Sequence, residues 1–215
     1  MLTALLTGLA GTAIGAMLGM LTRRTLATLD YRLDDEQDLP LPGQQWWIIW
    51  TSALSLGCIT AWIAATNSWP LAPVLLPFTL AAPALAAIDL DVMRLPNRVL
   101  APLALATTGG LASTIFTRGH TGAAIHGVLG CVIAGGTCLL LHLASRGGVG
   151  FGDVKLAAII GGASGSINVS TAWWALLLGA GSAMIWVRAI RRSGEFPFGP
   201  WLLGGTLVAV IASGG

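Results

Sequence analysis

The charged residues of this chain are confined to short clusters, and long charge-free runs separate the clusters. The runs span 1–22, 39–88, 99–117, 119–145, 156–187 and 196–215. An α-helix needs about 17–25 apolar residues to cross a bilayer, and every run reaches that length. Only 9% of the residues are charged and 55% are hydrophobic, which excludes a disordered chain, a nucleic-acid-binding protein and an ordinary cytosolic enzyme. The sequence therefore predicts an integral membrane protein.

Two of the runs are long enough to hold two helices each. Turn-forming residues interrupt the run 39–88 at 67–70, and Ser-Gly-Ser interrupts the run 156–187 at 164–166. We therefore expect a single all-α domain over 1–215, a polytopic bundle of about eight transmembrane helices. The predicted spans are 2–22, 46–66, 70–88, 99–117, 121–145, 153–163, 169–188 and 199–213.

The basic residues predict the orientation of these spans. Ten of the eleven Lys and Arg residues fall in one set of alternate loops, and Arg118 alone falls in the other. Because Lys and Arg accumulate in cytoplasmic loops, the first set is predicted to be cytoplasmic and both termini to be outside. All nine acidic residues lie on the same side. We therefore expect the polar chemistry of this protein at the cytoplasmic face.

Three of the acidic residues lie at the ends of predicted spans. Asp89 and Asp91 follow the third span within Ile-Asp-Leu-Asp-Val-Met-Arg-Leu-Pro-Asn (88–97), and Asp153 begins the sixth within Gly-Val-Gly-Phe-Gly-Asp-Val-Lys (148–155). Acids at this depth are costly and indicate function. Two carboxylates brought together there could act as the base and the acid of an aspartyl protease. A helix cap is the other interpretation of Asp153.

The remaining acids and the cysteines suggest no further site. The acidic stretch 30–38 is expected to be a solvated loop. The three cysteines fall within predicted spans and form no CxxC pair, so neither a disulfide framework nor a zinc site is expected. We predict no cofactor and no metal. The cysteines, expected to be packing residues, are Cys58, Cys131 and Cys138.

Three segments resemble motifs of type IV prepilin leader peptidases, the bacterial branch of the GxGD intramembrane aspartyl proteases. Gly-Val-Gly-Phe-Gly-Asp-Val-Lys-Leu at 148–156 resembles the GxGD signature, and 88–97 resembles the segment that holds the first aspartate. Phe-Pro-Phe-Gly-Pro-Trp at 196–201 is similar to the stretch before the last span. The resemblance covers about 70–210.

The resemblance implies an aspartic endopeptidase with Asp89 and Asp153 as its catalytic pair. The family places its first aspartate seven residues before the proline, which favours Asp89, but the spacing of the residues alone leaves Asp91 as a rival. The residues implied to support the site are Asp91, Gly150, Gly152, Lys155, Pro96 and Asn97.

The resemblance also implies a substrate and a location. Enzymes of this family cut the short basic leader of prepilins and pseudopilins, which serve the type IV pilus and protein secretion, at the cytoplasmic face of the bacterial inner membrane. The expected partners are therefore a prepilin or pseudopilin and membrane lipid, with no nucleic acid; the oligomeric state is left open.

Longer members of the family carry two CxxC pairs and a methylation function in the first cytoplasmic loop. Here that loop, 23–45, is short and has no cysteine, so N-methyltransferase activity is not expected.

Two other classes of protein remain open from the residues alone. A polytopic transporter or channel could use the boundary aspartates to bind ions or relay protons. A prenyl-group transferase could bind magnesium through Asp89 and Asp91, although the glycine-rich segment around Asp153 has no place in that class.

Overall fold

A computed structural model of the chain describes residues 1–117, 120–144, 149–189 and 196–214. The described residues form eight α-helices and two short 3-10 helices, Asp34–Glu36 and Trp69–Leu71, and contain no strand. The all-α membrane fold predicted from the charge pattern is thus confirmed. The α-helices are α1 (Leu2–Leu26), α2 (Trp47–Thr66), α3 (Ala72–Val92), α4 (Asn97–Ile115), α5 (Thr121–Ala144), α6 (Phe151–Gly165), α7 (Val169–Ala189) and α8 (Gly199–Ala212).

Five helical segments among the described residues are long and apolar enough to cross a membrane. Their outer sides carry large apolar side chains that the bundle leaves exposed, including Leu9, Leu54 and Ile185. A surface of this kind suits contact with lipid tails rather than water. The five segments are Leu2–Leu26, Trp47–Thr66, Trp69–Val92, Thr121–Ala144 and Val169–Ala189.

Two helices extend further toward the polar loops than the charge-free runs predicted. The first span was predicted to end at 22 but α1 continues to Leu26, and the third was predicted to end at 88 but α3 continues to Val92. Charge marks where the bilayer core ends, whereas a helix ends where the backbone must turn. Met93 makes that turn in the left-handed region, with φ of 50°, and Pro96 prevents the helix from resuming before α4.

The short helix α6 lies at the centre of the bundle. It packs against α3, α4, α5, α7 and α8, and every residue from Ile159 to Gly165 is buried. Small residues permit the close contact with α5: a Cβ added to Gly161 would lie 2.7 Å from the Cβ of Ala134. Close backbone approach of this kind is how helices associate in a bilayer, where the hydrophobic effect does not hold them together.

Candidate active site

Asp89 and Asp153 come from helices that are distant in sequence but adjacent in the fold. Asp89 lies in the last turn of α3 and is only 3% exposed, and Asp153 lies in the first turn of α6 and is partly buried. Helix α3 packs against α6, and a Cβ added to Gly152, the residue before Asp153, would lie 3.1 Å from the Cβ of Leu95 in the segment after α3. The C-terminal end of α3 and the N-terminal end of α6 therefore bring together the two predicted catalytic aspartates.

The N-terminus of α8 completes the environment of Asp89. The backbone N–H of Gly199 donates a hydrogen bond of 2.8 Å to Oδ2 of Asp89. A Cβ added to Gly199 would lie 2.9 Å from the same oxygen, so any larger residue would displace the carboxyl group. The motif at 196–201 predicts this segment as part of the site, but a sequence pattern carries no signal for a backbone N–H donor such as that of Gly199.

The glycines of the second motif allow the first turn of α6 to pack closely. A Cβ added to Gly150 would lie 3.2 Å from Oδ2 of Asp153, and one added to Gly152 would lie 3.1 Å from the Cβ of Leu95. Leu95 is buried in the link between α3 and α4. Glycine at both positions therefore sets the beginning of α6 against the segment that follows Asp89. Gly148, the first glycine of the motif, lies outside the described residues.

Asp91 faces away from the aspartate pair and holds the loop between α1 and α2. Its Oδ2 accepts hydrogen bonds from the Tyr31 hydroxyl at 2.6 Å and from Arg32 Nε at 2.9 Å, and its Oδ1 accepts one from Arg32 Nη2 at 2.8 Å. The side chains of Arg32 and Asp91 are 1% and 6% exposed. Burial and the Asp91 carboxylate together raise the pKa of the Tyr31 phenol. This arrangement is a buried, charge-assisted network.

A second ion pair fastens the same loop. Arg94 donates to both carboxylate oxygens of Glu36, at 2.8 and 2.7 Å, and to the carbonyl of Tyr31 at 3.2 Å. The hydrogen bonds from Arg94 lower the pKa of Glu36. The expectation of a solvated acidic loop applies to its exposed aspartates but not to Glu36. The exposed aspartates are Asp30, Asp34, Asp35 and Asp38.

Lys155 on α6 and Asn97 on α4 connect the helix that carries Asp153 to the helix that follows Asp89. Pro96 immediately precedes α4, and Asn97 is its first residue. The Lys155 ammonium donates a hydrogen bond of 2.8 Å to Oδ1 of Asn97 and lies 5.1 Å from the ring centroid of Phe151. The predicted supporting residues Pro96, Asn97 and Lys155 thus lie at the beginnings of α4 and α6, which the hydrogen bond between Lys155 and Asn97 joins.

The carboxyl groups of Asp89 and Asp153 can themselves perform acid–base chemistry. Two interacting carboxyl groups can divide the roles of base and acid when one carries the proton. Among the residues that the structure describes, no group of three or more His, Cys, Asp or Glu side chains could hold a metal ion. A prenyl-group transferase would need Asp91 as its second magnesium ligand. The Asp91 carboxylate instead accepts hydrogen bonds from Arg32 and Tyr31.

Comparison with known proteins identifies one family. The type IV leader peptidase family matches residues 74–190, a range that contains all but the first two residues of α3, the helices α4 to α7 and both aspartates. No curated protein and no solved structure is significantly similar to the chain.

Proposed function

The chain belongs to the type IV leader peptidase family, and from this premise we propose that it is an aspartic endopeptidase acting through Asp89 and Asp153. The family match supports a peptidase. The observation that carries the finer assignment is the packing of the end of α3, which carries Asp89, near the start of α6, where Gly152 beside Asp153 lies against Leu95. The partial shielding of the two aspartates from solvent suits groups that must exchange a proton.

In the proposed reaction, the ionised carboxylate removes a proton from a water molecule, and the oxygen of that water attacks the scissile carbonyl carbon. The protonated carboxyl group donates its proton to the carbonyl oxygen, which gives a neutral tetrahedral diol. As the diol collapses, the C–N bond breaks, the carboxyl group that took the proton from water donates it to the departing nitrogen, and the other carboxylate removes a proton from one diol hydroxyl. The products are a new carboxyl terminus and a new amino terminus.

We propose that the substrate is the leader of a type IV pilin-like precursor, cut at the cytoplasmic face of the bacterial inner membrane. The resemblance of the three motifs supports the substrate class. The orientation is supported by the ten basic residues on the side that also carries Asp89 and Asp153. The apolar helices provide the membrane location. The family match favours this function over a transporter or a prenyl-group transferase.

The test compares the purified protein with single isosteric variants in phospholipid nanodiscs. Asp89→Asn and Asp153→Asn should each reduce cleavage of a prepilin by at least about 100-fold, because one carboxyl group cannot supply both base and acid. Asp34→Asn, at an exposed position of the loop, is the control and should retain full activity. Mass spectrometry of the released leader measures cleavage. Normal processing by either catalytic variant would refute the assignment.

A further inference from the structure

His142 lies in the last turn of α5 and contacts the segment that leads into α6. Its half-buried imidazole places Nδ1 at 2.6 Å from the carbonyl oxygen of Val149, two residues before α6 begins. Because a carbonyl oxygen can only accept a hydrogen bond, Nδ1 is the protonated nitrogen and donates it. A side chain of α5 thus holds a backbone group that lies outside both helices.

The backbone after Val149 lies directly against Asp153. The Gly150 carbonyl accepts hydrogen bonds from the N–H groups of Asp153 at 3.1 Å and of Val154 at 3.4 Å. A Cβ added to Gly150 would lie 3.2 Å from Oδ2 of Asp153, so the carboxyl group packs on this residue. The carbonyl of Val149 and the N–H of Gly150 belong to one planar peptide unit. A movement of the Val149 carbonyl therefore moves the surface on which the Asp153 carboxyl group rests.

The ring of His142 makes a second contact, with the first residue of α6. Its centroid lies 5.8 Å from that of Phe151, and the two rings are inclined at 61° in an edge-to-face arrangement. The Lys155 ammonium lies 5.1 Å from the same Phe151 ring. His142 thus contacts the start of α6 through its N–H and through its ring, and substitutions can separate these two contacts.

Helix α5 is a firm support for His142 because it packs closely against α6. A Cβ added to Gly135 on α5 would lie 2.8 Å from the Cβ of Ala158 on α6, and one added to Gly130 would collide with the Gly161 carbonyl. Helices packed this tightly cannot slide past each other without clashes. The imidazole therefore projects from a helix whose position relative to α6 is defined.

We infer that His142 is a positioning residue for Asp153, acting through the peptide unit between Val149 and Gly150. The inference rests on the proposed peptidase function. The imidazole N–H holds this peptide where the Asp153 carboxyl group packs on it, and so fixes the orientation in which the carboxyl group exchanges a proton. Small displacements of a catalytic group lower the rate steeply. Loss of the N–H should therefore lower kcat and leave KM nearly unchanged.

Three substitutions at position 142 separate the N–H from the ring. His142→Phe keeps an aromatic ring for Phe151 but removes the donor, whereas His142→Asn removes the ring but carries an N–H group on an atom bonded to Cγ, as the imidazole does. His142→Leu removes both and suits a helix, so a variant without the donor is available even if His142→Phe does not fold. The control is His126→Phe, the same change about 24 Å away along α5.

Cleavage of a prepilin in phospholipid nanodiscs, measured below the Tm of every variant, is the first measurement. We expect His142→Phe and His142→Leu to lower kcat about tenfold, with KM within about twofold of the wild-type value. His142→Asn should keep kcat within about threefold of wild type, and His126→Phe should match it. An unchanged kcat in the two variants without the donor, or an equal loss in His142→Asn, would overturn the inference.

Hydrogen exchange of the substrate-free protein is a second measurement, which needs no cleavage. The amides of Asp153 and Val154, which the Gly150 carbonyl protects, should exchange at least about fivefold faster in His142→Phe than in the wild type, and at the wild-type rate in His126→Phe. Unchanged exchange in His142→Phe would overturn the inference. Faster exchange, together with a wild-type protein that cuts no prepilin, would instead refute the peptidase proposal alone.

Discussion

Asp89 and Asp91 are separated by one residue, yet α3 directs them to different partners. Two residues along an α-helix correspond to a rotation of about 200°, so their side chains lie on nearly opposite faces. Asp89 points toward the N-terminus of α8 and accepts a hydrogen bond from Gly199. Asp91 points toward the loop after α1 and accepts hydrogen bonds from Arg32 and Tyr31. The same residue type thus supplies a candidate catalyst and a structural anchor.

Asp91→Asn should therefore weaken the fold more than the chemistry. Removing the negative charge leaves the Arg32 guanidinium without its counterion, so we expect Tm to fall by about 3 °C or more. At temperatures below Tm, the variant should keep at least a tenth of its prepilin cleavage. Thermal unfolding in nanodiscs and leader release are the measurements. An inactive Asp91→Asn beside an active Asp89→Asn would exchange the two roles but leave the mechanism in place.

Gly199→Ala should reduce kcat while the protein remains folded. The new methyl group would lie 2.9 Å from Oδ2 of Asp89 and would push the carboxyl group away from its position near Asp153. We expect kcat to fall at least about tenfold with a small change in KM, since small displacements of a catalytic group are costly. Gly136→Ala, made where the added Cβ meets nothing, should behave as wild type. Equal kcat values for the two variants would contradict this role of Gly199.

At the scale of elements, the loop 27–46 is a folded connection that joins α1 and α2 to the end of α3. Arg32 forms its centre: besides the pair with Asp91, it donates to the carbonyls of Leu39 at 3.0 Å and Pro40 at 2.8 Å. Arg94, from the link after α3, holds Glu36. Two ion pairs thus anchor a segment whose own large apolar side chains, including Leu33 and Leu41, are largely exposed.

The Glu36 pair should make this loop sensitive to acid. Because the hydrogen bonds from Arg94 lower the pKa of Glu36 in the folded protein, its stabilising contribution is complete above the unfolded pKa and is lost as the pH falls through the folded one. Hydrogen exchange in 27–46, corrected for intrinsic rates, should therefore accelerate below about pH 4. Glu36→Gln should exchange faster already at neutral pH, with a weaker acid response. Identical pH profiles for both proteins would exclude the pair as the anchor.

At the scale of the whole molecule, the site is assembled from helix ends. The C-terminal end of α3 and the N-terminal ends of α6 and α8 meet, although Asp89, Asp153 and Gly199 are far apart in sequence. Backbone groups at helix ends lack partners within the helix, so they are available to hold side chains, as the N–H of Gly199 shows. The long apolar helices carry exposed apolar side chains that suit contact with lipid.

The short loop between α1 and α2 also predicts that this protein lacks N-methyltransferase activity. The loop 27–46 contains no cysteine, and its described side chains hold the loop against α3 rather than forming a separate domain. Pilin matured by this enzyme alone should therefore carry an unmethylated N-terminus, and chelators should not inhibit cleavage. Mass spectrometry of the N-terminal peptide, with S-adenosylmethionine present and absent, measures the first expectation. Stoichiometric methylation dependent on that cofactor would show that the short loop does not preclude the second activity.

Much of the fold follows from the sequence because the bilayer imposes one strong condition. A segment without charges that is long enough to span must be helical, so that its backbone groups bond to each other. The charge-free runs therefore predicted the helices, including the short sixth span at 153–163, which corresponds to α6 at Phe151–Gly165. They were less accurate where α1 and α3 continue into the polar region, because Arg23, Arg24, Asp89 and Asp91 can remain helical while their side chains reach polar partners.

The sequence alone also placed three motifs at the ends of spans on one predicted side of the membrane. It could not distinguish Asp89 from Asp91, because the rotation of α3 about its axis depends on packing against α8 and on the ion pair with Arg32. It likewise could not show that Gly199 donates to Asp89, since that contact joins residues 110 positions apart. Local pattern thus determined which segments form helices, and tertiary packing decided which face of each helix meets which partner.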